Sequence, residues 1–346
     1  MKHQTTRYGE IPFYKIGTFG NTADAFISKK LFLEYKTKYS FPKKGDILIS
    51  ASGTIGRAVI YDGKPAYFQD SNIVWIDNDE TLVKNDFLFY AYSNVKWNTE
   101  HTTILRLYND NFKNTLIPLP PLNEQIAIAN ILSTLDRYLY ALDALILKKE
   151  GVKKSLSFEL LSQRKRLKGF NQAWQRVRLG DIANYLTSNL SVEQITQQGK
   201  IKVYDVNNFI GYTDTTFISD KPYISIVKDG SVGRVRILPP KTNILSTMGA
   251  LIANHRTTTE FLFYLLSNFD FKNFISGSII PHIYFKDYKE KTIFLPPLNE
   301  QSAIANILSG LDNEIISLKN KKRQFENIKK ALNHDLMSAK IRVLEK

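Results

Sequence analysis

The chain has five histidines (His3, His101, His255, His282 and His334) and no cysteine, and none of the histidines has a neighbour at metal-ligand spacing. Without cysteine, disulfides, thiolate catalysis and Cys-ligated zinc are excluded, which agrees with a reducing compartment. There is no Walker lysine loop, no Asp-Pro-Pro-Tyr or Asn-Pro-Pro-Phe run of the kind that methylates adenine, and no Pro-Asp dipeptide to open a nuclease motif. The residues point away from catalysis and metal binding and toward recognition of a polyanion. Lys and Arg number 47 against 33 Asp and Glu, a net charge of +14, and the pI is about 9.5.

The cations fall in two kinds of place. Arg57 follows the pair Gly53 and Gly56, and Arg234 follows Gly230 and Gly233, in loops where backbone freedom puts a polar side chain at a tip. Arg106 and His282 hold matching places in two further loops, 101–107 and 277–283. All four are candidates for base edges or phosphates. Because Arg57 and Arg234 recur in both copies, hairpin packing or a salt bridge would account for them equally well. The second place is a pair of basic runs, residues 146–168 and 319–342, each with eight Lys or Arg against two acids. Lys148, Lys149, Lys153, Lys154, Lys321, Lys322, Arg323 and Lys329 are the candidates there for tracking a phosphate backbone; a merely solvated helix face is the alternative.

The elements that must carry these residues are set by a repeat. Sixteen of the eighteen residues from Leu119 to Asp136 recur from Leu295 to Asp312, as LPPLNEQxAIANILSxLD. Each copy opens a long stretch of helical apolar spacing: Ile128, Leu132, Leu135, Leu139, Leu142 and Ile146, then Ile304, Leu308, Leu311, Ile315 and Leu318. The proline pairs 120–121 and 296–297 suit a helix start, with Asn123 and Asn299 as N-caps, and the helices are expected to run to about Lys168 and Lys340, weakened at Gly151. Two such seams predict an antiparallel coiled coil, or else two helices that each pack on their own domain. Gln125, Asn130, Gln301 and Asn306, shared by the two helices, are read as exposed positions and candidates for partner docking, or equally as caps and solvated face.

Before each helix lies a segment rich in Phe, Tyr, Ile and turn residues. GDILISASGTIGRAVIY reads as strand, Gly turn, strand, and SIVKDGSVGRVRIL answers it; FLFYAYSN and FLFYLLSN read as a short helix beneath each sheet. Outside these anchors the segments differ, as expected of two domains that read different short sequences from one frame, although neutral drift would look similar. The fold class predicted is α+β: two pseudo-symmetric α/β domains (1–119 and 169–295) separated by two helical spacers (120–168 and 296–346). About twenty residues that lead into the second domain have no counterpart in the first, so the first is expected to lack an edge strand, as an N-terminally truncated or recombined allele would, or to be a natural variant closed differently. No apolar run approaches the roughly 18 residues a membrane span needs, and MKHQTTRYGE is polar, so a soluble cytoplasmic protein is expected.

Here the residues resemble the specificity subunits of type I restriction-modification enzymes. The resemblance rests on the PPLxEQxxIAxIL runs Pro120–Leu132 and Pro296–Leu308, and on RLKGFNQAWQRVRLGDI (166–182), with Gly169, Phe170, Trp174, Leu179, Gly180 and Asp181 in place. It covers nearly the whole chain. It implies a non-catalytic subunit that binds a bipartite, asymmetric site on double-stranded DNA, one half per recognition domain, with the coiled coil fixing the gap. It also implies docking to two methylation subunits and to restriction subunits, which would carry S-adenosylmethionine, ATP and magnesium. The resembled holoenzyme is a restriction endonuclease and adenine-N6 methyltransferase. A related system with a fused methylase-nuclease, or a protein-binding scaffold, is the alternative role.

Overall fold

Strand propensity and period-2 alternation on either side of paired glycines produce the same hairpin twice. The computed structural model describes residues 4–69, 72–97 and 106–344. In chain order the elements are β1 (Ile11–Tyr14), β2 (Ala25–Ile27), α1 (Lys29–Lys38), β3 (Ile47–Ser50), β4 (Ala58–Ile60), β5 (Tyr67–Phe68), β6 (Ile73–Trp75), α2 (Asn85–Tyr92), α3 (Asn109–Lys113) and α4 (Leu122–Leu161). There follow β7 (Gln175–Arg178), β8 (Ala183–Thr187), β9 (Ile201–Tyr204), β10 (Phe209–Thr213), β11 (Tyr223–Val227), β12 (Val235–Leu238), β13 (Thr242–Ile244) and β14 (Met248–Ala253). The last four are α5 (Thr259–Ser267), α6 (Phe285–Tyr288), β15 (Thr292–Leu295) and α7 (Leu298–Met337). They fall into two units: Met1–Asp143 with Asn320–Lys346, and Ala144–Lys319.

In the first unit β3 and β4 form the Gly hairpin, and β6 joins β3 on its other side. A small second sheet has β1 between antiparallel β2 and parallel β5. The second unit repeats this plan: β11 lies between β12 and β14, and β9 lies between antiparallel β10 and parallel β13. Even the close approach before β1 recurs before β9. A Cβ on Gly9 would lie 2.8 Å from that of Phe26, and one on Gly199 would lie 2.7 Å from that of Tyr212. Two differences stand out. Among the described residues, the helix α1, capped by Ser28 between β2 and β3, has no counterpart between β10 and β11. The second unit adds β8 against β14, and β7 against β15, to give sheets of four and two strands.

The short helices α2 and α5 close the cores. Phe87, Tyr90 and Ala91 pack with Ile128, Ala129, Leu132, Leu336 and Met337 in the first unit. Phe261, Leu262 and Tyr264 pack with Ile304, Ala305, Leu308 and Leu160 in the second. The predicted seam therefore buries against both the domain and the other long helix. Within the first unit, Asp136 pairs with Lys329 and Asp143 with Lys322, so the partner number falls as the first rises. Within the second, Lys149 pairs with Glu314 and Lys153 with Asp312 in the same sense. The helices thus pair antiparallel in each unit, as a coiled coil.

Their bounds differ from expectation. Both start at Leu122 and Leu298, where the Pro121 and Pro297 carbonyls accept the first helical bonds from Gln125 and Gln301 at 3.0 and 2.9 Å. The prolines are the caps, because a proline carbonyl can accept although its nitrogen cannot donate. Asn123 and Asn299 lie inside the first turn, bonding the next amide at 3.0 and 2.9 Å. The helices end at Leu161 and Met337, each 40 residues long, and α4 runs unbroken through the exposed Gly151. No helix among the described residues is long and apolar enough to cross a membrane.

Candidate nucleic-acid interface

The Gly hairpin is built around an aromatic ring. Gly56 and Gly233 both have φ of +80°, and a Cβ at either would fall 2.2 Å from Trp97 or 2.7 Å from Phe271, so only glycine fits. With the turn fixed, the arginine after it is committed. Arg57 donates through Nη1 to the Phe19 carbonyl at 2.9 Å, and Arg234 donates through Nη2 to Asn207 Oδ1 at 2.8 Å. Arg57 thus ties its hairpin to the loop between β1 and β2, and Arg234 ties its own to the turn between β9 and β10. The scaffold alternative for these arginines has its geometry here, although both residues remain exposed.

The structure brings the residue before the Gly loop together with the pre-spacer loop. Ser52 and Arg106 form an isolated antiparallel bridge, as do Asp229 and His282. In the first unit Asn72 Oδ1 accepts from Ser52 Oγ at 2.7 Å and from Arg106 Nη2 at 3.1 Å. In the second, His282 Nδ1 lies 2.7 Å from Asp229 Oδ1, and Lys228 donates to the other carboxylate oxygen at 3.0 Å. Burial acts to raise the Asp229 carboxyl, but the bonds from His282 and Lys228 outweigh it and hold the group below the usual carboxylate range. Tyr284 stacks on the His282 ring. One frame thus presents a guanidinium anchored on an amide in one unit and an imidazole anchored on a carboxylate in the other. Most of the first pre-spacer loop (residues 98–105, with His101) lies outside the described residues.

Sequence reasoning singled out Arg106 and His282 but missed their partners. Ser52 and Asp229 were accessible to it, since each immediately precedes the first glycine of its loop; Asn72 comes from the separate turn that leads into β6 and is visible only in the fold.

The basic runs divide. Lys149, Lys153, Lys322 and Lys329 are half-buried and ion-paired to acids of the opposite helix. Lys153 and Lys329 also sit over the rings of Tyr264 and Tyr90, whose hydroxyls donate to Asp312 and Asp136 at 2.9 and 2.7 Å. Burial first, and then those aspartates, push both phenols well above their ordinary range. These four lysines hold the helix pair together, and the set available to phosphate narrows to the exposed Lys148, Lys154, Lys321 and Arg323. Of these, Lys321 covers the Tyr138 ring and Arg323 donates to Asn320 at 3.3 Å.

The docking candidates divide too. Asn130 and Asn306 are exposed, but Gln125 and Gln301 are buried, which corrects their reading as exposed positions. Gln125 accepts from the Lys84 amide at 2.8 Å and donates to the Leu82 and Pro120 carbonyls. Gln301 accepts from the Thr258 amide at 3.0 Å and donates to Arg256 and Pro296. A primary amide satisfies both a donor and an acceptor where a loop meets a helix start, which is why each is inside. Among the described residues no group of three or more His, Asp or Glu is placed to hold a metal ion.

A duplicated α+β domain, each copy packed on a stretch of antiparallel helix pair and carrying unlike polar tips on like frames, defines the class of the fold. The chain belongs to the type I restriction modification DNA specificity domain family, which matches residues 1–149 and 171–327. The protein of Haemophilus influenzae named "putative type I restriction enzyme specificity subunit S.HindORF215P" is 65% identical over 133 residues, 38% of this chain and 34% of that protein. The chain thus matches only about a third of that relative's length. The type I restriction enzyme MjaVIII specificity subunit of Methanocaldococcus jannaschii is 25% identical over 362 residues, covering 92% of this chain and 84% of its own. Among solved structures, the S subunit of a type I restriction-modification system from M. genitalium shares the fold with a TM-score of 0.64 at 20% identity, over 97% of this chain and 91% of that one. A chain from a structure of type I system assembly and conformational transition does so at 0.55 and 14% identity, over 94% and 91%.

Proposed function

We infer that this chain is the DNA-specificity subunit of a type I restriction-modification enzyme, binding a bipartite, asymmetric site on double-stranded DNA with one half read by each unit. The observation that carries this is the pair of tips: the same hairpin-and-loop frame holds Arg106 on Asn72 in one unit and His282 on Asp229 in the other. A shared frame with exchanged hydrogen-bonding groups is what two different half-sites require, since base edges differ in their donors and acceptors. Arg106 suits the two acceptors of a guanine edge, and His282 suits a single base-edge or phosphate oxygen. The exposed Lys148, Lys154, Lys321 and Arg323 supply sequence-independent phosphate contact. The helix pair sets the gap between half-sites and offers its shared exposed positions, Asn130 and Asn306 among them, to methylation subunits, with restriction subunits joining the same cytoplasmic complex. The chain itself performs no catalysis, and S-adenosylmethionine, ATP and magnesium belong to those partners.

Co-expression with a type I methylation subunit, followed by single-molecule mapping of methylated adenines, is expected to yield a two-part motif with a fixed gap. Arg106→Ala should then relax only one half and His282→Ala only the other. A one-part motif, or both variants relaxing the same half, overturns the assignment.

A further inference from the structure

On the second unit, the turn between β9 and β10 gathers cations that no carboxylate compensates. Arg236 holds its guanidinium 5.2 Å from the centre of the Tyr204 ring and donates through Nη1 to the Asn207 carbonyl at 3.0 Å. Arg234 reaches the same residue, through Nη2 to Asn207 Oδ1 at 2.8 Å. Lys202 stands 5.9 Å over Phe209, whose ring is exposed and 6.0 Å from that of Tyr204. Among the described residues none of these three cations makes an ion pair, whereas Arg166, Arg178 and Arg342 each face an acid. Asp205, the carboxylate of the turn, accepts instead from the Asn207 and Asn208 amides at 2.7 and 2.6 Å. The first unit is built differently at the equivalent positions. Tyr14 aligns with Phe68 of β5 as Tyr204 does with Ile244 of β13, and Val59 follows Arg57 by two residues as Arg236 follows Arg234. Pro12 and Val59 thus stand where the second unit has Lys202 and Arg236, and with Tyr14 they line a cleft of about 400 Å³. The frame closes without these two cations, so the fold does not require them.

A guanidinium held by neutral acceptors and an aromatic face keeps its full charge while its rotamer freedom is already spent, which lowers the cost of binding an anion. We infer that Arg234 and Arg236, with Lys202 beside them, form a clamp for a backbone phosphate of DNA, present in the second unit and absent from the first. The inference rests on the DNA-binding function proposed above and adds to it a group that positions the duplex. The planar forks of two arginines suit the free oxygens of a phosphodiester. The clamp also adjoins the reading tip: the Val227 amide donates to the Arg234 carbonyl at 2.9 Å, which sets Arg234 across the hairpin two residues short of Asp229, the anchor of His282. A phosphate fixed there sets the register in which His282 meets its base, because backbone contacts orient a protein on the duplex without reading sequence. The two half-sites therefore contribute unequally to affinity, the half met by the second unit being gripped by its backbone as well.

The test uses the full chain in complex with a type I methylation subunit, and a labelled duplex of unrelated sequence read by anisotropy at several salt concentrations. Arg234→Met together with Arg236→Met keeps the apolar stems and removes the charge. Affinity should fall at least ~10-fold, the worth of one charge-assisted hydrogen bond, and the logarithmic salt slope should flatten by about 0.9 to 1.8, for one or two phosphates released. Replacing both by Lys should restore the slope. Arg178→Met, which removes an exposed guanidinium already facing Asp181 and Glu290, should leave affinity and slope unchanged. If the double variant unfolds at a lower temperature than the parent, Arg236→Val, which installs the first unit's residue, gives the same readout. On a duplex carrying the methylation motif, ethylation of single phosphates should block binding beside the half-site that His282→Ala relaxes, and should cease to do so in the double variant. Unchanged affinity and slope in the double variant, while the parent binds in a salt-sensitive way, overturns the clamp and leaves the functional assignment standing. An equal loss in Arg178→Met overturns it too, as would loss of the methylation subunit from the double variant, which would give the cluster to an acidic protein surface. A parent complex without salt-sensitive binding overturns the functional assignment and the clamp with it.

Discussion

Glu124 and Glu300, the glutamates of the repeated motif, each take an arginine from the segment that follows the other long helix. Arg166 Nε and Nη2 reach Glu300 at 3.2 and 2.6 Å within the second unit, and Arg342 reaches Glu124 at 2.7 and 2.6 Å within the first. The fork geometry is bidentate, which Lys could not reproduce. Glu300 is fully buried and also holds Trp174, so Glu300→Ala should cost about 2–3 kcal/mol. That lies below the ~3–5 typical of breaking a fully buried pair, because Arg166 keeps 27% of its side chain in water. Glu124→Ala should cost less, since Arg342 is 52% exposed. Denaturant unfolding of both variants checks the order, and equal losses would show that the indole contributes nothing. Arg342 holds the Glu124 carboxyl below its usual 4.5, so that unit's gain is present above about pH 4.5 and fades as the pH falls through the depressed value. From the sequence these acids were visible only as helix-start residues. Their partners lie 134 and 218 positions away, beyond anything spacing can specify.

At the scale of elements, the 40-residue helices are each about 60 Å long by the ordinary rise, and their interhelix ion pairs fix the register. If they act as a ruler, adding one heptad to each at matched points, between Asp143 and Ala144 and between Lys321 and Lys322, preserves the seam and lengthens the pair by about 10 Å. The gap in the methylation motif should then grow by about 3 base pairs at ~3.4 Å per pair, with both half-sites retained. Altered half-sites with an unchanged gap would refute the ruler. The heptads and the proline starts were legible from the sequence. The caps were not, because an asparagine two residues after a proline pair has the same propensity whether it precedes the helix or sits in its first turn.

For the whole molecule, a net charge of +14 overstates what is offered to DNA, since half the cations singled out in the runs already face an acid across the helix pair. Replacing Lys148, Lys154, Lys321 and Arg323 together by Ala should weaken binding to every sequence alike. It should flatten the logarithmic salt dependence by up to about 3.6, at ~0.9 for each phosphate no longer neutralised. Fluorescence anisotropy at several salt concentrations reads both; a loss confined to the cognate site would make these side chains base readers instead.

The duplication, the α+β class, the paired hairpins and the helix seam were determined by the sequence alone, because each is a local pattern of apolar period and turn chemistry repeated at a fixed shift. Which cations remain exposed, why Gln125 and Gln301 are inside, and that Asn72 anchors Arg106 were decided only by the tertiary structure. Each depends on a partner brought from a distant segment, and hydrogen bonding and burial are properties of the pair, which no single position in the chain encodes.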